Sequence, residues 1–514
     1  MTFTSLLEQL GGLGLFQWLH ILALVAPILL TASHNLLQNF SAAVPPHHCR
    51  LPPAPLGAGQ TGNLSSEGLL RLWVPLDGGH QPERCRQFSR PHWQSLEPNT
   101  TSPNGSLPAT EPCRDGWTYD RSEFEATIVT EWDLVCDSWK LTQMAQSIYM
   151  AGVLVGAMAF GSLADRFGRK ALLSWSYLQL GAAGTATAFS PNFSTYCALR
   201  FLVGMAVSGI ILNCMSLETI RPGKGSRSKI YSATLGQILL PGLAYALPNW
   251  RWLQLTLSMP FFAFFGYSWW FAESARWLVL AGRPEQAIQV LKRVARINGR
   301  RAEGDGLSIE VKELDSSHLL SSPSPPSSQR FATSFAYYGV AMDLQGFGLR
   351  VHMLQLLFGM VDIPAKLLST LAMSRAGRRV AQVTALVLAG LGILANLLVP
   401  TELAALRTTL AVLGKGCLAA SFNCVYLYTG ELYPTAISTM ARVGGIVAPL
   451  VKLTGEQMPL VPPIIYGSIP VLSGLVALGL PETRNRPLKD TVEEVENRWV
   501  NCKQAACEAS NHKK

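Results

Sequence analysis

Four ionisable residues stand inside otherwise apolar stretches of this sequence: Asp362, Lys366, Lys415 and Arg442. A charge within hydrocarbon is costly, so residues of this kind are usually kept for function. Asp362 and Lys366 are four apart and share one helix face. That spacing permits either a self-neutralising pair or a basic patch on a cavity. Lys415 is flanked by Gly414 and Gly416, and Arg442 lies among Ala441, Val443 and Gly444. A guanidinium can grip a carboxylate with two parallel hydrogen bonds, whereas Lys366 acts as a point charge. The chemistry open to these groups is noncovalent capture of an anion. No nucleotide-binding loop, metal cluster or catalytic constellation accompanies them, so no enzyme activity, no cofactor and no metal are expected.

The elements that must hold such charges follow from composition. Of 514 residues, 48% are hydrophobic and only 15% charged, against roughly 25% charged in a soluble chain. So few charges cannot cover several globular surfaces, but they can cover the two ends of a molecule whose sides face lipid. The net charge of +9 fits basic cytoplasmic loops, and no nucleic-acid partner is expected.

A hydrocarbon core about 30 Å thick needs about 20 apolar residues in helix. Candidate spans are Gln9–Cys49 (apolar heart Leu15–Ala32), Leu141–Ala164, Ala171–Leu199, Phe201–Leu217, Ile230–Trp250 and Trp252–Ala272. Six more follow: Phe331–Met342, Val351–Ser374, Val380–Thr401, Leu403–Gly430, Leu432–Lys452 and Leu460–Pro481. A signal peptide would explain the first alone, but not the rest. Lys and Arg crowd the links after spans two, four and eight and the central segment, which makes that side cytoplasmic. The expected organisation is a cytoplasmic N-terminus and span one (1–36), an extracellular glycosylated loop (37–140), spans two to six (141–272), a cytoplasmic central loop (273–330), spans seven to twelve (331–481) and a cytoplasmic tail (482–514).

The external loop carries sequons at Asn39, Asn63, Asn99 and Asn104, which are expected glycan acceptors. It also holds Cys49, Cys85, Cys113 and Cys136. Four cysteines in a polar, exposed loop imply two disulfides, with three pairings open. Cys197, Cys214, Cys417 and Cys424 fall within spans and read as small packing residues.

The two halves repeat. Gly161-Ser-Leu-Ala-Asp165-Arg166-Phe-Gly168-Arg169-Lys170 follows span two, and Ser374-Arg375-Ala-Gly377-Arg378-Arg379 follows span eight. Glu273-Ser-Ala-Arg276 follows span six, as Pro481-Glu482-Thr-Arg484 follows span twelve. Matching signatures in two six-span halves imply duplication, the architecture of carriers that rock two bundles about a central site. In each cluster the glycine allows a tight turn and the basic residues can meet helix C-terminal carbonyls. Asp165 can cap the next helix or pair with an arginine.

The chain resembles the major facilitator superfamily, and within it the organic anion transporter branch of the organic ion transporters. The resemblance is carried by His34-Asn35, Gln38-Asn39-Phe40, the run Thr130–Cys136, Gly161–Lys170, Glu273–Leu278, Phe335-Ala-Tyr337-Tyr338-Gly339, Leu413–Phe422 and Gly430-Glu431-Leu-Tyr-Pro434. It implies an all-α membrane protein of twelve spans in two pseudo-symmetric six-helix bundles, with spans seven and eleven shortened here. It further implies a multi-pass plasma-membrane antiporter that admits an organic anion as an intracellular dicarboxylate leaves. By the same resemblance, Lys366 and Arg442 line the cavity with Asn35, Met215, Tyr337, Tyr338, Phe422 and Tyr426. Gly161, Asp165, Arg166, Gly168, Arg169, Glu273, Arg276, Arg378 and Glu431 would form the gate.

Three segments depart from that pattern. Residues 217–236 are short. The tract Ser321–Arg330, rich in Pro and Ser, reads as extended and leaves only Phe331–Met342 for span seven. About ten residues are missing between Ile437 and Met440. The alternatives are a non-transporting membrane relative, a fragment, or a carrier of other organic ions.

Overall fold

The structure, a computed structural model, describes residues 14–51, 66–76, 81–91, 109–217, 224–300, 325–342, 344, 349–400, 402–432, 439–456, 458–480 and 482. Two compact units divide it: Phe40–Thr142 with Leu247–Trp250, and the remainder.

The larger unit is helical. Its first half runs α1 (Leu15–Leu36), α2 (Lys140–Phe167), α3 (Arg169–Ala188), α4 (Phe193–Ser216), α5 (Lys224–Ala246), α6 (Trp250–Ser258) and α7 (Pro260–Ser268). Two short helices follow, α8 (Ala275–Leu280) and α9 (Pro284–Ile297). The second half runs α10 (Pro325–Ala341), α11 (Val351–Arg375), α12 (Arg378–Leu398), α13 (Ala404–Leu432), α14 (Thr439–Lys452) and α15 (Val461–Ala477). Helix is the economical choice in lipid because every backbone group is satisfied within the segment. Among the described residues, six helical stretches are long and apolar enough to cross a membrane. Their outward faces leave large apolar side chains uncovered, Leu368 at 66% and Leu388 at 58% exposure, as lipid contact requires.

Two expectations change here. Span six is broken into α6 and α7 at Pro260, which has no N–H to continue the ladder. The Pro/Ser tract is not extended throughout: α10 begins at Pro325 and takes in Arg330, giving 17 helical residues where the sequence allowed twelve uncharged ones. Proline suits a first helical turn, whose N–H groups lack partners anyway. The described part of α14, Thr439–Lys452, has 14 residues, or about 21 Å at 1.5 Å per residue.

The halves pack by the same plan. α1 lies on α5 as α10 lies on α14, α3 on α4 as α12 on α13, and α3 on α7 as α12 on α15. Small residues permit this closeness. A Cβ on Gly152 would sit 2.2 Å from the Phe201 carbonyl oxygen, one on Gly236 would sit 2.0 Å from that of Leu29, and one on Gly444 would sit 2.6 Å from that of Phe331. α5 also packs on α11, joining the first half to the second.

The smaller unit holds two antiparallel strand pairs, β1 (His47–Cys49) with β4 (Trp117–Tyr119) and β2 (Arg86–Phe88) with β3 (Thr110–Pro112). Too small for a large core, it is stapled by Cys49–Cys113 and Cys85–Cys136, one of the three open pairings. Within it, Trp250 donates from Nε1 to Glu131 at 2.9 Å and meets the Trp132 ring edge-on.

Asn39 is a correction. It belongs to the helical unit, and its amide nitrogen, which a glycan would need, donates to the Ala341 carbonyl at 2.9 Å and to Gln355 at 3.2 Å. Asn63, Asn99 and Asn104 lie outside the described residues.

Gly152→Val should cost about 1–3 kcal/mol through overpacking and reduce surface protein in a biotinylation assay. Gly161→Ala, where an added Cβ meets nothing within 4 Å, should leave it unchanged.

Candidate transport site

The sequence-predicted pair Asp362 and Lys366 exists, and it has a third member. On α11, Lys366 Nζ lies 3.4 Å from Asp362 Oδ2. From α13, Lys415 Nζ lies 3.3 Å from Asp362 Oδ1. All three side chains are buried: Asp362 is 0% exposed, Lys415 1% and Lys366 7%. A single buried charge carries a desolvation penalty of several kcal/mol, so removal from water is tolerated only when partners are well placed. Here each carboxylate oxygen takes one ammonium, and one carboxylate serves two cations. The formal charge left over is +1. Pro364 sits between Asp362 and Lys366 inside α11, where its missing N–H locally interrupts the ladder.

Helices of both halves complete the cluster. Thr234 on α5 accepts a hydrogen bond from Lys366 Nζ. Tyr337 on α10 donates to Asp362 Oδ2 at 3.5 Å and shares a hydrogen bond with the Gln237 amide of α5, at 3.0 and 3.2 Å to its two atoms. Lys415 Nζ stands 3.6 Å from the centre of the Tyr337 ring, a cation–π contact. Tyr337 also meets Phe422 of α13 at 5.3 Å and Tyr338 at 5.7 Å. Asn423 ties α13 to α11 by donating to the Lys366 carbonyl and to Ser369 and Thr370. Thus Tyr337, Tyr338, Lys366 and Phe422 lie together. Thr234, Gln237 and Asn423 were not singled out from sequence. The three-residue spacing of Thr234 and Gln237 on an apolar helix was their only signal.

The other expected residues are distributed more widely. Asn35 accepts at 2.8 Å from the hydroxyl of Tyr149 on α2. Arg442 is half-buried in the first turn of α14. Three residues on, Gly445 faces Met150 and Tyr338, a Cβ there falling 3.3 and 3.4 Å from them. Met215 is exposed near the end of α4. Tyr426, Glu431 and Arg276 lie on helical backbone, and their side chains fall outside the described residues.

The paired clusters acquire one shared geometry. Glu273 accepts from the backbone N–H of Arg169 at 3.1 Å and of Lys170 at 3.1 Å, and so caps α3. Glu482 accepts from Arg378 N–H at 2.8 Å and Arg379 N–H at 3.0 Å, and so caps α12. A carboxylate at a helix N-terminus meets unsatisfied donors and the positive end of the dipole. The preceding glycines have φ of 95° at Gly168 and 98° at Gly377, a region that favours glycine. A Cβ would also strike the capping carboxylates, at 2.6 Å from Glu273 and 2.5 Å from Glu482. Asp165 does not cap. It reaches Arg169 at 3.9 Å with its own side chain largely in the open. Arg169 instead donates to the Ser216 carbonyl at the end of α4, at 3.3 Å.

A buried cationic cluster to which helices of both duplicated halves contribute fits a carrier. The comparisons agree. A family described as sugar (and other) transporter matches residues 107–494. The partially occluded, inward-open xylose transporter XylE from E. coli shares the fold, with a TM-score of 0.51 at 16% identity over 68% of this chain and 90% of its own. The chain is therefore a membrane transporter with the major facilitator fold, not an enzyme.

Its sequence is 50% identical to solute carrier family 22 member 6-A of Xenopus laevis, across 97% of this chain and 94% of that one. It is 51% identical to solute carrier family 22 member 6 of Bos taurus, across 97% and 95%, and 49% identical to member 20 of Mus musculus, across 97% and 94%. The chain belongs to solute carrier family 22, on its organic anion transporter branch, as a multi-pass protein of the plasma membrane.

Glu273→Ala should cost about 1–2 kcal/mol of stability in detergent by loss of a cap. Asp165→Ala, which breaks a long and largely exposed pair, should cost less than about 0.5 kcal/mol. Denaturant titration of the purified variants measures both.

Proposed function

We propose that this protein moves organic anions across the plasma membrane by exchange, an anion entering as an intracellular dicarboxylate leaves. The observation that carries this reading is the residual positive charge of Asp362, Lys366 and Lys415, held out of water beside Tyr337, Tyr338 and Phe422. In low dielectric an uncompensated unit charge attracts a carboxylate far more strongly than it would in water. Flat rings add apolar area with weakly directional contacts, which suits varied aromatic acids.

In this scheme Lys366 and Arg442 draw the carboxylate, and Tyr337, Tyr338, Phe422 and Tyr426 hold the body. Asn35 and Met215 complete the lining, and the two halves rock about the site. α5 supports such coupling, because Thr234 and Gln237 of the first half touch the charged cluster of the second. The glycine–glutamate caps at Gly168 and Gly377, with Asp165, Arg166, Arg169, Arg276, Arg378 and Glu431, belong on the cytoplasmic face as gate elements. The disulfide-stapled loop belongs outside, glycosylated at Asn63, Asn99 and Asn104.

The test is uptake of a labelled aromatic carboxylate by cells with and without dicarboxylate preloading. Preloading should raise uptake several-fold. Lys366→Ala and Arg442→Ala should each lower it about tenfold or more, the worth of one charge-assisted hydrogen bond, at unchanged surface amount. Full uptake in both variants would remove these residues from the site.

A further inference from the structure

The first half contains a second cationic centre that the scheme above does not use. Arg200 on α4 is 1% exposed. Among the described residues, no acceptor lies within hydrogen-bonding reach of its Nε, Nη1 or Nη2. Its guanidinium carbon stands 4.4 Å from the centre of the Tyr149 ring. That contact stabilises the charge, but a ring face supplies no lone pair to the N–H groups. Burial of an unpaired guanidinium is costly, and a cation–π contact returns only part of that cost. A residue kept at such a deficit is not there for stability.

Its neighbours point to what satisfies it. Gln146, three residues before Tyr149 and so on the same face of α2, is 1% exposed, with both amide atoms likewise unpartnered. His34, fully buried on α1, lies within electrostatic range of Arg200. Asn35, next to it, holds the Tyr149 hydroxyl and fixes that ring. A planar fork of five N–H donors matches the geometry of a carboxylate. A chain of side-chain contacts also links this region to the charged cluster of the second half. Tyr338 packs against the apolar cluster that contains Tyr149 and Met150, and Tyr338 abuts Tyr337, which touches Asp362 and Lys415.

We propose that Arg200, with Gln146 on the neighbouring helix, is a second carboxylate-binding subsite, in the first half, distinct from the Lys366 and Lys415 cluster and used by the dicarboxylate counter-substrate. This assignment rests on the anion-exchange reading. Two separate cationic centres would let the two counter-substrates depend on different residues.

The experiment compares full-length wild type with Arg200→Gln. In proteoliposomes, KM is measured for labelled benzoate and for labelled glutarate; in detergent, Tm is measured with and without glutarate. The variant should raise KM for glutarate at least tenfold and change that for benzoate less than threefold. Its Tm without substrate should be unchanged or higher, since a buried unpaired charge has been removed, and the glutarate-induced rise in Tm should vanish. A parallel rise in both KM values, no change in either, a lower Tm without substrate, or failure of the variant to fold would each overturn the subsite. Wild-type vesicles that accumulate neither probe would refute the exchange reading instead. The subsite is then decided by Tm alone: a glutarate-induced rise present in wild type and absent from the variant supports it, and no rise in wild type overturns it.

Discussion

One carboxylate shared by two ammonium groups governs the centre of this molecule. Asp362 is wholly buried, with Lys366 at one oxygen and Lys415 at the other. Without Asp362, two like charges would face each other in low dielectric, where repulsion is severe. With it, they are held together and one positive charge remains. That arrangement requires α11 and α13 to meet at one level, and α5 and α10 to bring Thr234 and Tyr337 against them. Close helix packing is therefore not a generic property here. It is the condition under which a positive charge persists inside an apolar body.

The glycines meet that condition at two kinds of position. Within helices, Gly152, Gly236 and Gly444 stand where any side chain would strike a neighbouring backbone. At the ends of α2 and α11, Gly168 and Gly377 adopt positive φ and leave room for Glu273 and Glu482 to cap α3 and α12. The recurrence of this cap in both halves indicates that it was built before the duplication and kept in each copy. It fixes α3 to the segment after α7, and α12 to the segment after α15, so each half has a tie of the same design. A carrier that rocks its halves needs each to move as a body, and such ties serve that need.

Arg200 and the Asp362 cluster show two ways of keeping a cation in hydrocarbon. The cluster satisfies its charges internally and leaves a surplus. Arg200 has a ring beneath it and, among the described residues, no acceptor at its edges. One is close to balanced and the other is in deficit, and the deficit is what marks Arg200 as a place for a partner from outside the chain.

Much of this was legible in the residues themselves. Apolar stretches separated by basic links announce a polytopic membrane protein, because lipid admits only segments that satisfy their own backbone. The paired Gly-Arg-Lys and Gly-Arg-Arg turns announce the duplication, and the i,i+4 spacing of Asp362 and Lys366 announces their contact, since helical neighbours are set by local geometry alone. What needs partners distant in the chain was not legible. Glu273, rather than Asp165, caps α3, although Asp165 is four residues from Arg169 and Glu273 is more than a hundred away. Lys415 joins Asp362 only because α13 packs on α11, and the pairing of the four loop cysteines was one of three until the strands placed them. Asn39 read as a glycan acceptor, yet packing spends its amide on Ala341 and Gln355. The Pro/Ser tract read as extended, yet α10 starts within it. Arg200 fell between two candidate spans and was not singled out, because a missing acceptor has no signature in sequence. The sequence by itself determined where helices form and where charge enters the membrane, both local matters of hydrophobicity and period. The tertiary structure alone decided which charges are paid off and which are left waiting, because that depends on what other helices bring within 3 or 4 Å.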